Sequence, residues 1–174
     1  MAKKKGVAKI GPAEAGFVLD DYPLYHLIRA AATYSAAMSE ALKEYGLDIT
    51  KWRILMLLDD AGPSTVGDLS RRAVIKMPTI TRVLIRMEKD GLVERTALEA
   101  DRRVVEVAMT GKAVKTLNVV KDIGQSVFER AFDGVSPEDA ADLTAHLKKI
   151  RANLDRSPYA EGLPLMAAGA SAVS

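Results

Sequence analysis

The segment 78–89, PTITRVLIRMEK, constrains the fold of this chain more than any other. Pro78 suits the first position of a helix, where its fixed φ is already helical and its missing N–H is not needed. Gly91 stands where such a helix would stop. At about 100° per residue, Ile80, Val83, Leu84 and Met87 fall on one side, while Thr79, Arg82, Arg86 and Lys89 fall on the other. One face needs a core beneath it and the other carries cations outward. Taken alone, this is more readily the pattern of an ordinary amphipathic helix with a solvated basic face, so its neighbours in the chain must decide.

Upstream, residues 22–45 are rich in Ala and Leu without an interior Gly or Pro after Pro23, which predicts a long helix ended by Gly46. A second helix is expected from Thr50 as N-cap through Trp52, Ile54, Leu55 and Leu58, stopped by Gly62-Pro63. Ser64-Thr65 then open a short third helix over 66–72. Downstream of Gly91, two β-branched runs, 92–96 and 103–107, flank a polar loop over 97–102 and predict a hairpin. Thr110 begins another helix, with Val114, Leu117, Val120, Ile123, Val127 and Phe128 at helical spacing. Ser136-Pro137-Glu138-Asp139 reads as a capping signal, and Leu143, Leu147, Ile150 and Leu154 stripe the last helix. The fold expected is mainly α with a small β-hairpin wing.

Two short helices, a basic-faced helix and a hairpin with Asp101-Arg102-Arg103 at its tip are together expected to form one reading head for duplex DNA. The buried side of the third element of this head fixes its orientation in the major groove. Arg82 and Arg86 can donate bidentately to guanine, and Thr79 and Thr81 can contact a base or a phosphate, with Lys76 just ahead of them. Arg102 and Arg103 can lie across the adjacent minor groove or its phosphates. The plainer alternative at the tip is a surface Asp–Arg pair that braces the hairpin, worth about 0.2–1 kcal/mol. Both can hold, with Asp101 bracing one arginine while the other reaches DNA.

Net charge is only +2, so its distribution is the informative quantity. Between residues 71 and 103 nine basic residues face five acidic ones, which makes the middle of the chain basic. With 174 residues, 48% hydrophobic and 28% charged, the chain suits one ordinary domain, and no apolar run approaches the roughly 18 residues of a membrane span. The start, MAKKKGVAKIG, has lysines but no apolar run or small-residue cleavage site after them, which predicts a cytoplasmic protein with a flexible basic arm over 1–20. An Ala-, Gly- and Ser-rich tail over 157–174 is expected to be flexible. The absence of cysteine excludes disulfides, thiolate metal sites and thiol redox sensing. His26 and His146 are the only histidines and lie on separate helices, so no metal-ligand cluster is expected. No nucleophile with a base, paired carboxylates or phosphate-binding glycine loop points to an enzyme or a cofactor. A winged-helix module turned to protein binding would be expected to lose its basic face, yet Arg82, Arg86 and Arg103 are present.

These residues, in this order, resemble the multiple antibiotic resistance regulator (MarR) family. The resemblance rests on Trp52-Arg53-Ile54-Leu55, Gly62-Pro63, Val66 with Asp68-Leu69, Pro78-Thr79-Ile80-Thr81-Arg82, the run 88–95 (EKDGLVER), and Asp101-x-Arg103 followed by Met109-Thr110. It continues more weakly through residues 134–138 and covers roughly 22–155. Met109 stands where the family usually has Leu, and Met77 precedes Pro78 where a small capping residue is commoner. The resemblance implies a winged helix-turn-helix over 47–109 and a homodimer held by helical regions 21–46 and 110–156. The terminal helices also carry more apolar stripe than so small a domain needs. It implies a repressor acting on a pseudo-palindromic operator with half-sites about one helical turn apart. Similar regulators release DNA when a small aromatic or lipophilic anion binds between the dimerisation helices and the reading head. His26, Arg29 and Trp52 are the candidate residues for it, each with a plainer role as helix, surface or core residue.

Overall fold

The computed structural model describes residues 11–155; the expectations for 1–10 and 157–174 lie outside the described residues. Among the described residues, six α-helices and a three-stranded antiparallel sheet run in the order α1 Pro23–Leu42, α2 Ile49–Ala61, β1 Ser64–Thr65, α3 Val66–Ala73, α4 Met77–Lys89, β2 Val93–Ala97, β3 Val105–Met109, α5 Gly111–Ala131 and α6 Pro137–Asp155. Within the segment expected as an arm, Leu19–Asp21 form a 3₁₀ turn and Phe17 packs edge-on against Tyr22. Of the described residues, those through Ala131 form one compact unit and those from Phe132 to Asp155 belong to a second.

Local chemistry sets most boundaries. After α1 a 3₁₀ turn, Lys43–Tyr45, leads to Gly46 at φ 64°, the left-handed turn that glycine adopts without strain. Asp48, not Thr50, caps α2: its Oδ1 accepts from the backbone N–H groups of Thr50 and Lys51, both at 2.8 Å. Asp48 is the better cap because a carboxylate just outside the first turn reaches two orphan donors and faces the positive helix end. Thr65 caps α3 by accepting from Asp68 N at 3.1 Å. The Thr65 hydroxyl and the charge on Arg71 hold the Asp68 carboxyl below its ordinary range, against a partial opposing effect of desolvation. Ser136 caps α6 in the expected way, its Oγ accepting from Asp139 N at 3.1 Å.

Further boundaries differ from expectation. Helix α4 starts one residue early, at Met77, so Pro78 is its second residue; the first turn has no use for that N–H in either position. Ser64 and Thr65 do more than open a helix, pairing with Val107 and Glu106 to add a third strand. The wing strands also lie later than their β-branched runs suggested. Val104 N donates to Asp101 O and Leu98 N to Val104 O, so Arg103 sits in the turn and not in a strand.

The core of the first unit gathers Met38 and Leu42 of α1, Trp52, Ile54, Leu55 and Leu58 of α2, Leu69 of α3, Ile80, Leu84 and Met87 of α4, Val93 and Val107 of the sheet, and Leu117 and Val120 of α5. Burying each of the Val, Leu, Ile and Met side chains among these stabilises the fold by roughly 1.5–3 kcal/mol before the opposing conformational entropy is subtracted. In the second unit no residue of α6 is buried, and Leu143, Leu147 and Leu154 of its stripe are exposed. No helix among the described residues is long and apolar enough to cross a membrane.

Candidate nucleic-acid interface

Helices α3 and α4 are joined by a tight turn. Val74 takes the left-handed conformation (φ 56°), Ile75 N donates to Ser70 O at 3.1 Å, and Ser70 Oγ donates back to Ile75 O at 2.6 Å. Arg53 of α2 donates to Ala73 O at 3.0 Å, satisfying a carbonyl at the end of α3. Ile80, Val83, Leu84 and Met87 then seat α4 in the core, as its periodicity required. The opposite face presents Thr79, Arg82, Ile85 and Arg86 around one shallow surface depression. Lys76 is the exposed N-cap residue at the start of this helix. Thr81 lies at the edge of the face, its hydroxyl donating to Met77 O at 2.8 Å.

The wing is anchored at both ends. Thr110 Oγ1 donates to Gly91 O at 2.7 Å and accepts from Ala113 N, so one side chain closes the sheet and caps α5. Gly91 itself has φ 70°, as a helix-terminating residue there requires. At the tip, Asp101 Oδ1 accepts from the backbone N–H of Arg103 at 3.0 Å. Asp101 therefore braces the turn through the main chain, and both tip arginines keep their guanidinium groups free of it.

The cations of this region fall into two sets. Arg71 pairs with Asp68, Arg72 with Asp60, and Arg95 with Glu88. Lys76, Arg82, Arg86, Lys89, Arg102 and Arg103 make no ion pair among the described residues. The unpaired set consists of the α4 face, its N-cap and the wing tip, so uncompensated positive charge is concentrated there and available to phosphates.

Of the three residues considered for a small ligand, His26 and Arg29 lie on the exposed start of α1 and Trp52 is buried on α2. His26 Nε2 lies 2.6 Å from Asp20 O, and its ring meets Tyr25 edge-on. Arg29 donates to Tyr25 Oη at 2.7 Å and lies over that ring, a contact that raises its already high pKa. Trp52, by contrast, is buried under α5, where a Cβ on Gly124 would come within 2.9 Å of its ring. No hydrogen bond or ring contact joins Trp52 to His26 or Arg29 among the described residues. Hydrophobic periodicity did not single out Ile85, although its helical angle, far from the core stripe, is legible in the sequence.

Comparison with known proteins agrees with this architecture. The MarR family model matches residues 47–105, the stretch from two residues before α2 to the first residue of β3. The transcriptional repressor IacR of Pseudomonas putida is 31% identical over 152 residues, which is 87% of this chain and 91% of that protein. A MarR family transcriptional regulator of Silicibacter pomeroyi superposes with a TM-score of 0.72 at 25% identity, over 88% of this chain and 99% of that one. BpsR of Bordetella bronchiseptica, whose DNA binding is regulated by 6-hydroxynicotinic acid, shares the fold with a TM-score of 0.67 at 22% identity, over 74% of this chain and 98% of its own. Sequence and fold together make this chain a member of the MarR family of DNA-binding transcriptional regulators.

Proposed function

We propose that this regulator is a sequence-specific repressor that binds a pseudo-palindromic operator as a homodimer, with α4 in the major groove and the wing tip on the adjacent minor groove. The observation that carries this reading is the unpaired set of cations on one helix face and one hairpin tip, framed by elements whose other cations are neutralised. Arg82, Arg86 and Thr79 contact base edges; Lys76, Thr81, Arg102 and Arg103 contact the backbone or the minor groove, and Asp101 holds the tip in shape. The reading head spans 47–109, and residues 21–46 and 110–156 hold two copies together. Exposed apolar residues on those helices, Ile28 at 70% and Leu154 at 60% among them, support a second copy as their cover. A two-fold dimer places its two α4 helices in successive major grooves.

Release is assigned to a small aromatic or lipophilic anion. The support is Arg29 against the face of Tyr25 in the exposed N-terminal half of α1, which offers a cation and an aromatic wall together. His26 stands beside them, while Trp52 acts from the core through the α2–α5 contact. BpsR, which shares the fold, responds to a ligand of this class.

The test is selection of bound sequences from random duplexes by the full chain, repeated with Arg82→Ala. A palindromic consensus is expected, and the variant should relax preference at one position per half-site at a cost of about 1–3 kcal/mol. Binding without sequence preference would overturn the reading.

A further inference from the structure

Four apolar side chains seat α4 in the core, yet a fifth, Ile85, stands outside it with 48% of its surface exposed. At about 100° per residue, Ile85 lies roughly 150° around the helix from the middle of the buried face. No core position of this helix is so placed. On its own turn of helix it is flanked by Arg82, Arg86 and Lys89, none of them ion-paired among the described residues, and with Thr79 it lines the depression between them. An isolated exposed isoleucine is unremarkable elsewhere on a surface. Here it borders the most cationic face of the reading head and shares a depression with Arg82 and Arg86, where a partner must be polyanionic and must also offer an apolar patch at the depth reached by a short side chain.

Duplex DNA supplies that combination in one place. Its major groove is rimmed by phosphates and carries one apolar group on its floor, the C5 methyl of thymine. The geometry points to Ile85 as a specificity-determining residue that packs against a thymine methyl next to the base pair contacted by Arg82. This rests on the placement of α4 in the major groove. Arginines with two donors distinguish guanine; a branched aliphatic side chain beside them distinguishes thymine from cytosine by contact and by excluding the water that a polar edge would retain.

The decisive experiment uses the consensus duplex selected by the full chain and replaces each thymine in turn with deoxyuridine, which keeps every Watson–Crick and groove hydrogen-bonding group and lacks only the methyl. At one thymine per half-site the wild type should lose affinity about fourfold, the value of burying one methyl-sized group. Ile85→Ala should bind the thymine and deoxyuridine duplexes equally at that position, and Ile85→Val should fall between. The comparison is a ratio within each protein, so a change in folded fraction cancels. If Ile85→Ala keeps the wild-type ratio, or if the wild type is indifferent to every methyl, the assignment is overturned while sequence-specific binding stands. If the full chain selects no consensus, the major-groove reading falls first and this assignment with it.

Discussion

Arg95, on the inward face of β2, donates from both Nε and Nη2 to a single carboxylate oxygen of Glu88 on α4, at 2.9 and 2.7 Å. The pair ties the wing to the helix that carries the unpaired cations. Both side chains are partly shielded from solvent, so the interaction is worth more than a fully exposed pair and less than a buried one. Glu88→Gln should lower unfolding free energy by about 0.5–1 kcal/mol in urea titrations. Arg95→Lys should not recover the wild-type value, because an ammonium cannot reproduce the two donors of the guanidinium. Full stability in either variant would remove this pair from the forces holding the wing.

Arg103 should act through charge. Arg103→Ala is expected to weaken binding to many sequences alike and to flatten the dependence of log K on log salt by about 0.9 for each phosphate that the arginine neutralises. Fluorescence anisotropy across a salt series reads the slope. An unchanged slope would leave Arg103 with a purely structural place in the tip turn.

Gly124 lies where α5 crosses Trp52, and an added Cβ would meet the indole at 2.9 Å. Alanine gains about 1 kcal/mol of helix propensity over glycine. The ring is buried and must shift within the core, so Gly124→Ala should still destabilise the protein by about 1–2 kcal/mol net. Thermal unfolding with the indole fluorescence as reporter would check both the cost and its location; a rise in Tm would show that the ring gives way.

Val74 holds a left-handed conformation that a β-branched residue adopts only under strain, and with 87% of its surface exposed it recovers nothing by burial. Val74→Asn should stabilise the protein by about 1 kcal/mol. A destabilised variant would mean that the methyl groups of Val74 make an interaction that outweighs the strain.

Asp90 accepts a hydrogen bond from Lys51 Nζ at 2.9 Å, while Lys112 Nζ donates to its carbonyl at 2.7 Å. The Lys51 hydrogen bond and charge, with smaller help from Lys112 and Lys89, hold the Asp90 carboxyl below its ordinary range. A depressed folded-state value means that the contribution is complete above the ordinary carboxylate pKa of about 4 and is lost as pH falls through the lower folded value. Asp90→Asn should therefore be less stable than wild type at pH 7, and the two unfolding curves should converge below about pH 4. A constant gap across the acid limb would separate the stability of this joint from the Asp90 charge.

Apart from β1, the order and kind of elements between residues 50 and 110 were determined by the sequence alone. Gly62-Pro63, Pro78 and Gly91 act on their own backbone, and the alternation of apolar and basic residues on α4 is a property of helical pitch. The same holds for the caps, although the choice of Asp48 over Thr50 turned on which side chain faces two free N–H groups. Tertiary structure decided the rest. Two residues are too short a run to announce a strand, so β1 exists only because β3 comes to lie beside it. Which arginines are neutralised depends on carboxylates brought from other turns and elements, as Glu88 is to Arg95 and Asp60 to Arg72. Composition could report only that residues 71–103 are basic. Folding divided those cations into a set that holds the reading head together and a set left to meet phosphate, because ion pairing acts over a few ångströms of space and takes no account of distance along the chain.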